Sequence, residues 1–246
     1  MGNTRMGQGS EPRRSSLARR ASILNLAYMI LSIAAKTLGR DGMIVAGDAA
    51  ATSANILAHG LRFRIGALCD LTIPVLFLLA AWALYVLLKP VGGKTALLFL
   101  ILNACGGAIY SMSSVFLFAT IPFANGAGYL ASFSAEQLHA LTYAFVELRD
   151  ITFMGSQLCY GAWVLPLGYL VFKSGFLPKA IGILLMVDCF SVFAYSLQRF
   201  LISGYKQSMS YPFFAISFAA EILGLTLWLV FKGASDAPAP EREPRA

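Results

Sequence analysis

Long apolar stretches alternate with short polar segments along most of this 246-residue chain. A bilayer core about 30 Å thick needs about 20 apolar residues in a helix, and these stretches have 18 to 25. The pattern therefore predicts an all-α fold, a polytopic membrane protein built as a six-transmembrane-helix bundle. The six predicted spans are Ala21–Leu38, Gly66–Leu88, Thr95–Ala119, Thr152–Phe172, Ala180–Leu201 and Pro212–Phe231.

The polar segments between the spans contain helix-start signals. Asp48 is a good N-cap for a short amphipathic helix Ala49–Ala58 in the loop after the first span, ending near Gly60. Ser134 and Gln137 form a capping box, which predicts a helix that starts near Ala135 and continues into the fourth span. We expect both helices in the longer loops on the outer side of the membrane.

Outside the spans, residues 1–18 and 234–246 are polar and rich in Arg, Ser or Pro, which predicts disordered tails. Residues 19–233 then form one membrane domain. The first span, with Arg19 and Arg20 before it and a small-x-small sequence at Ser32–Ala34, fits either a cleaved signal peptide or a retained helix. We favour a retained helix, because cleavage would leave five spans and move the N-terminus outside.

Composition and charge agree with a membrane location. Apolar residues make up 58% of the chain and charged residues 13%, against about 25% in a soluble domain. The net charge is +7, and 12 of the 19 basic residues fall on the side that holds the tails and alternate connections. The positive-inside rule then places both termini in the cytoplasm, so the charge reflects topology and indicates no nucleic-acid partner.

Two acidic residues stand deep inside the predicted spans. Asp188 lies about 12 Å into the fifth span and Glu221 about 14 Å into the sixth, so the antiparallel pair would meet near mid-depth. Two adjacent carboxyl groups in a low dielectric hold a proton between them and suit a proton relay or a cation site. Tyr195 and Arg199 share the helix face of Asp188, with Arg199 as countercharge, and Asn103 of the third span lies at a similar depth.

Lesser candidates lie nearer the outer boundary. Asp70 begins the second span, where we expect Arg62 or Arg64 to meet it. A second group would close the polar layer on the outside, and it consists of Glu147, Arg149 and Asp150. The structural alternative is that all these residues serve as hydrogen-bonded contacts between packed helices.

The chain lacks the patterns of common enzymes and cofactor sites. Its two histidines, His59 and His139, fall in predicted outer loops and form no metal motif, and no phosphate-binding glycine loop is present. We therefore predict no cofactor, no metal and no catalytic residues. The favoured function is a small transporter, permease-like or sensory membrane subunit; the alternative is a membrane scaffold, and a membrane-embedded enzyme is third. The expected partners are the lipid bilayer and a second copy or another membrane protein.

Several collinear motifs carry a resemblance to a known family. They are Gly47–Leu57, Phe63–Gly66 with Asp70, Ala83–Pro90, Tyr129–Leu138, Gly161–Pro178 leading into Ile181–Leu185, and Ala220–Gly233. In this order the chain resembles the bacterial integral-membrane family catalogued as domain of unknown function four-three-eight-six (DUF4386), over about residues 20–233. The resemblance implies the fold and a location in the bacterial inner membrane, and it carries no activity. It also implies an acid in the fifth span where this chain has Tyr195, its own acid being Asp188.

Overall fold

The computed structural model describes residues 14–202 and 207–232, and this part of the chain is helical, with no strand. Its last three helical segments follow one another without a break, and we call them together the last helix. The predicted all-α class is confirmed. The helices are α1 Arg14–Gly39, α2 Ala49–Ala58, α3 Gly60–Leu88, α4 Gly93–Ala124, α5 Ala135–Ser174, α6 Lys179–Leu201, and the last helix with α7 Tyr211–Ser217, a π-helical segment Phe218–Thr226 and α8 Leu227–Phe231.

Five of these helices are long and apolar enough to cross a membrane, namely α1, α3, α4, α6 and the last helix. The predicted count of six spans is therefore not confirmed. The difference lies in α5, which is 40 residues long but carries polar and aromatic side chains such as Gln157 and Tyr160 within its apolar part. Both of these side chains face the interior of the bundle, which explains the lower apolar content of this helix.

The six long helices form a closed ring. Each packs against the next in the order α1, α3, α4, α5, α6 and the last helix, which packs back against α1. The short helix α2 lies against α5 and α4 at one end of the ring. Helix α1 completes the ring through its contacts with α3 and the last helix. That the first span is a retained helix stays a prediction.

The local signals predicted the helix starts well. Helix α2 spans Ala49–Ala58, and the Asp48 side chain accepts a hydrogen bond from the Ala51 amide at 2.8 Å. Helix α5 begins at Ala135 behind the complete capping box of Ser134 and Gln137, and it runs unbroken into the predicted fourth span. These predictions are confirmed.

The N-terminal boundary needs a correction. Helix α1 begins at Arg14, so residues 14–18, which we assigned to a disordered tail, are helical. Ala18 is fully buried in the bundle, which gives this extra turn a packing partner. The remainder of that tail, residues 1–13, and the predicted tail 234–246 lie outside the described residues.

The two ends of the ring differ, and we name them by that difference. The closed half is the end where the short connections after Leu88 and Ser174 join the helices, and its centre is filled by buried aliphatic and aromatic side chains such as Phe99, Leu167 and Leu185. The cavity half is the opposite end, which holds the longer loops around α2 and before α5. It contains an interior cavity of about 300 Å³.

The outer surface of the ring is apolar. Large side chains such as Ile30, Trp82 and Phe190 point outward, with exposed fractions of 69%, 56% and 68%. Such a belt is incompatible with water but suits contact with lipid tails, so these helices indicate an integral membrane protein. The cavity half therefore holds a cavity with polar groups inside a bundle whose outer surface is apolar.

Candidate functional site

The interior cavity is bounded by all six long helices of the ring. Its volume of about 300 Å³ is at the small end of the range for small-molecule sites. The walls are mainly aromatic, with polar groups at two places, around Glu221 and around Arg40. The aromatic lining residues are Tyr28, Phe77, Tyr110, Phe153, Tyr160, Trp163, Tyr195, Phe213 and Phe214.

The structure brings the two deep acids together. Asp188 is completely buried in α6, and its Oδ1 accepts a hydrogen bond of 2.5 Å from Ser217 Oγ of the last helix. Glu221 lies close enough to Asp188 for the two carboxyl groups to interact, Asp188 Oδ2 is buried without a hydrogen-bond partner among the described residues, and Glu221 itself lines the cavity. Ser217 therefore bonds across to Asp188 of α6, although Glu221 stands one turn away on the same helix as Ser217.

The π-helical segment Phe218–Thr226 positions Glu221. Thr226 Oγ1 donates a hydrogen bond of 2.7 Å to the Glu221 carbonyl oxygen, five residues earlier, and accepts one from Asn25 Nδ2 of α1. The wider π turn rotates the helix locally, and such turns occur often at functional sites. A contact between α1 and the last helix thus holds the backbone that carries the acid.

The carboxyl pair has no basic partner in the described part of the chain. The ion pairs formed by residues 14–202 and 207–232 involve Asp70 and Asp150, and none involves Asp188 or Glu221. Arg199, which we predicted as the countercharge, places Nη1 3.4 Å from Tyr195 Oη. Tyr195 is buried and forms part of the cavity wall, so Arg199 acts on the wall rather than on Asp188.

A second, smaller cavity of about 20 Å³ lies on the other side of Glu221, toward the closed half. Glu221, Phe77 and Trp163 line both cavities. Asn103 lines the smaller one, is 1% exposed, and has both amide atoms buried without a hydrogen-bond partner among the described residues. The indole Nε1 of Trp163 is likewise buried and unpartnered there. Asn103, predicted at mid-depth, thus lies beside Glu221 rather than beside Asp188.

The lesser candidate Asp70 forms a buried ion network at the loop end of the cavity half. Its Oδ2 lies 2.6 Å from Arg40 Nη1 and 3.4 Å from Arg149 Nη2, and its Oδ1 accepts a hydrogen bond of 2.8 Å from Tyr110 Oη. Arg149 Nη1 continues to Asp150 Oδ1 at 2.7 Å. Two arginines face two aspartates, so the network is neutral as a whole.

Two predictions about this end are corrected. Asp70 does not meet Arg62 or Arg64, because those side chains lie on the exposed face of α3 while Asp70 shares the buried face. Arg62 instead donates to the carbonyl oxygens of Thr37 and Asp41. Glu147 is exposed on α5 and takes no part in the network.

Arg40, Tyr28 and the aromatic character of the walls are the features that sequence reasoning missed. Tyr28 and Ser32 of α1 lie four residues apart and both line the cavity, a spacing that places them on one helix face. That spacing is the signal that could have found this wall. Arg40 follows the last turn of α1 and enters the site only through its bond to Asp70.

Comparison with known proteins gives family membership but no activity. A model of the family described as "Domain of unknown function (DUF4386)" matches residues 21–233. An uncharacterised protein from Archaeoglobus fulgidus is 29% identical over 160 residues, which cover 65% of this chain and 78% of that protein. No solved structure matches. Because this relative is archaeal, the bacterial source implied by the resemblance stays a prediction. The matched region contains both cavities and all of the ring except the first turns of α1, and the chain belongs to the DUF4386 family.

Proposed function

We propose that this protein is a small transporter, permease-like or sensory membrane subunit that binds a small solute at the Asp188–Glu221 pair. One observation carries the proposal: Glu221 lines both a large aromatic cavity and a small, mainly apolar cavity that also reaches Asn103, with no basic side chain paired to it in the described ranges. An ionisable group kept inside a bundle is costly and by default marks a functional path.

The proposal includes a bundle in which α5 also crosses the membrane. A helix of 40 residues is about 60 Å long, twice the thickness of the hydrocarbon core. The helix closes the ring between α4 and α6, and Gln157 and Tyr160 face the cavity rather than lipid. With six crossings, the basic residues favour cytoplasmic termini, which puts the closed half inside and the mouth of the cavity half outside.

In this arrangement the carboxyl pair works as an exchange site. Two adjacent carboxyl groups in a low dielectric do not both ionise, so a proton and a solute compete for the pair. The large cavity gives access from the cavity half. Access from the closed half requires Phe77 and Trp163 to move, because these two rings lie between the cavities and touch at 5.4 Å between centroids.

The test is charge movement in proteoliposomes, recorded on a solid-supported membrane while solutes are applied in turn. The panel covers sugars, carboxylates, amino acids and amines. We expect a solute-dependent current for one class, lost in Glu221→Gln and Asp188→Asn. The matched control is Glu147→Gln, an exposed acid outside the site, which should keep the wild-type current. No current and no thermal stabilisation with any class would overturn the proposal and favour the scaffold alternative.

A further inference from the structure

The charge balance of the large cavity favours a positively charged occupant. The network at its loop end is neutral, because Arg40 is held 2.6 Å from Asp70. At the other end stand Asp188 and Glu221, which form no ion pair within residues 14–202 and 207–232. Asp188 accepts a hydrogen bond from Ser217 and interacts with Glu221, and neither group brings a positive charge. Asp188 and Glu221 are therefore the acidic groups of the site that lack a paired base among the described residues, and Glu221 lines the cavity.

The walls around Glu221 favour an organic cation over a metal ion. Phe77 is the centre of an aromatic cluster, with ring centroids 4.8 Å from Tyr28, 5.2 Å from Tyr160 and 5.4 Å from Trp163. Aromatic faces attract ammonium groups and are the usual cage for quaternary amines. A hard metal ion instead needs six or more oxygens, and the described residues contain no group of three His, Cys, Asp or Glu side chains that could hold a metal.

A second observation points to a ligand independently of the acids. Asn103 is 1% exposed, and both of its amide atoms are buried without a partner beside Glu221. Buried amide groups are costly unless they form hydrogen bonds. The adjoining cavity of about 20 Å³ has room for one water molecule or for the end of a small polar group. The large cavity thus supplies a polar end at Glu221 and a wall of aromatic rings, and Asn103 lies on the far side of Glu221 with unused hydrogen-bonding capacity.

The geometry points to a binding site for a small organic cation, an amine or quaternary ammonium with an apolar or aromatic body, in the large cavity. Its charge would lie against Glu221 and its body against Phe77, Tyr160 and Trp163. The cavity volume of about 300 Å³ limits the ligand to the size of a small metabolite. This inference rests on the proposed function, because it names the solute class for the same site.

The experiment measures binding of four probes of similar size to the purified full chain in detergent by isothermal titration calorimetry. The probes are benzyltrimethylammonium, benzylamine, benzyl alcohol and benzoate. We expect the two cations to bind at least tenfold more tightly than the alcohol, and benzoate not to bind. Glu221→Gln should lower the affinity for the two cations at least tenfold and leave the affinity for benzyl alcohol unchanged. Glu147→Gln should change none of these affinities.

A second variant keeps the test valid if Glu221→Gln folds poorly. Tyr160→Leu removes one ring of the cage and should weaken benzyltrimethylammonium more than benzyl alcohol. Equal affinity of the cations and the alcohol, or a preference for benzoate, would overturn the inference. So would tighter binding of L-phenylalanine than of benzylamine, since a zwitterion would use Arg40 as well.

The outcomes separate the two proposals. If the cations do not bind but another solute class drives a current that Glu221→Gln abolishes, the solute class is wrong and the proposed function stands. If no probe binds and no solute drives a current, both fail.

Discussion

The two halves of the ring contain the same six helices but hold them together in different ways. In the closed half, fully buried side chains such as Leu167 and Leu170 fill the centre, and α5 crosses α6 closely at Gly168 and Gly182. In the cavity half, aromatic rings surround a space of about 300 Å³, and Asp70 is clamped between two arginines. The closed half is held together by close side-chain packing. The cavity half keeps an open space and is held together by the ion pairs of Asp70.

The comparison shows which half of the bundle contains features that lower its stability. Inside a bilayer, helices gain little from burying apolar groups because lipid is equally apolar, so close packing stabilises the closed half. Buried charges and cavities are both unfavourable in that setting. Their concentration in the cavity half, next to Glu221, is what a binding site requires and what a passive bundle would avoid.

The largest expected effect comes from breaking the ion network around Asp70. Asp70→Asn removes the negative charge that Arg40 and Arg149 share, and Arg149 is only 6% exposed. The variant leaves two arginines with one remaining carboxylate, Asp150, and breaking a buried ion pair by removing one partner costs about 3–5 kcal/mol. We expect a loss of that size in the free energy of unfolding, measured by denaturant titration of the protein in mixed micelles.

The matched control for that change is Asp150→Asn. Asp150 pairs with the same arginine at 2.7 Å, but its side chain is 44% exposed, and exposed pairs contribute about 0–1 kcal/mol. If both variants lost stability equally, the stabilisation would come from the whole ion network rather than from Asp70 in particular.

The next largest effect is expected from a variant that disrupts the close crossing of α5 and α6 in the closed half. A Cβ atom added at Gly182 would lie 2.6 Å from the Phe172 amide nitrogen and 2.8 Å from the Gly168 carbonyl oxygen. Gly182→Val should therefore separate α5 from α6 and cost about 3 kcal/mol, the upper range for overpacking. Gly155→Ala is the control, because its nearest neighbour would be 4.0 Å away and alanine favours a helix by about 0.5–1 kcal/mol. Equal losses in the two variants would contradict the close crossing.

A smaller effect compares the packing of the two halves directly. Leu167 is fully buried in the closed half, and Leu167→Ala should cost about 2 kcal/mol, the low end for a buried leucine. Val192 lines the large cavity, so part of its side chain already faces open space, and Val192→Ala should cost less than about 1 kcal/mol. Thermal unfolding of both variants measures the difference. A Val192→Ala loss as large as that of Leu167→Ala would mean that the cavity wall is packed like the core.

Sequence could predict what depends on local chemistry. The start of α2 behind Asp48 and the start of α5 behind Ser134 follow from side chains that bond to amides three residues away. The meeting of Asp188 and Glu221 follows from their similar depth in consecutive antiparallel helices. The two helix starts need no knowledge of a distant neighbour, and the meeting of the acids needs only the order and direction of two consecutive helices.

Other features depend on such neighbours and could not be predicted. The π turn under Glu221 is linked to Asn25, 201 residues from its partner Thr226. Asp70 meets Arg40 rather than Arg62 because the turn after α1 brings Arg40 over the buried face of α3. The aromatic walls look like ordinary lipid-facing residues in sequence, and only the ring order of the helices turns them inward.

The smallest expected effect tests a feature that sequence did predict, at the loop end of the cavity half. Ser134→Ala removes the side-chain acceptor that caps the Gln137 amide at 3.2 Å, and such a loss costs about 1 kcal/mol. Ser134→Asp keeps an acceptor and should restore the stability. Hydrogen exchange should rise at residues 135–138 and stay unchanged at Arg149, because Asp70 holds that part of α5 independently of its first turn. Faster exchange at Arg149 as well would show that the cap supports the ion network around Asp70, and that the cavity half depends on the N-terminal end of α5.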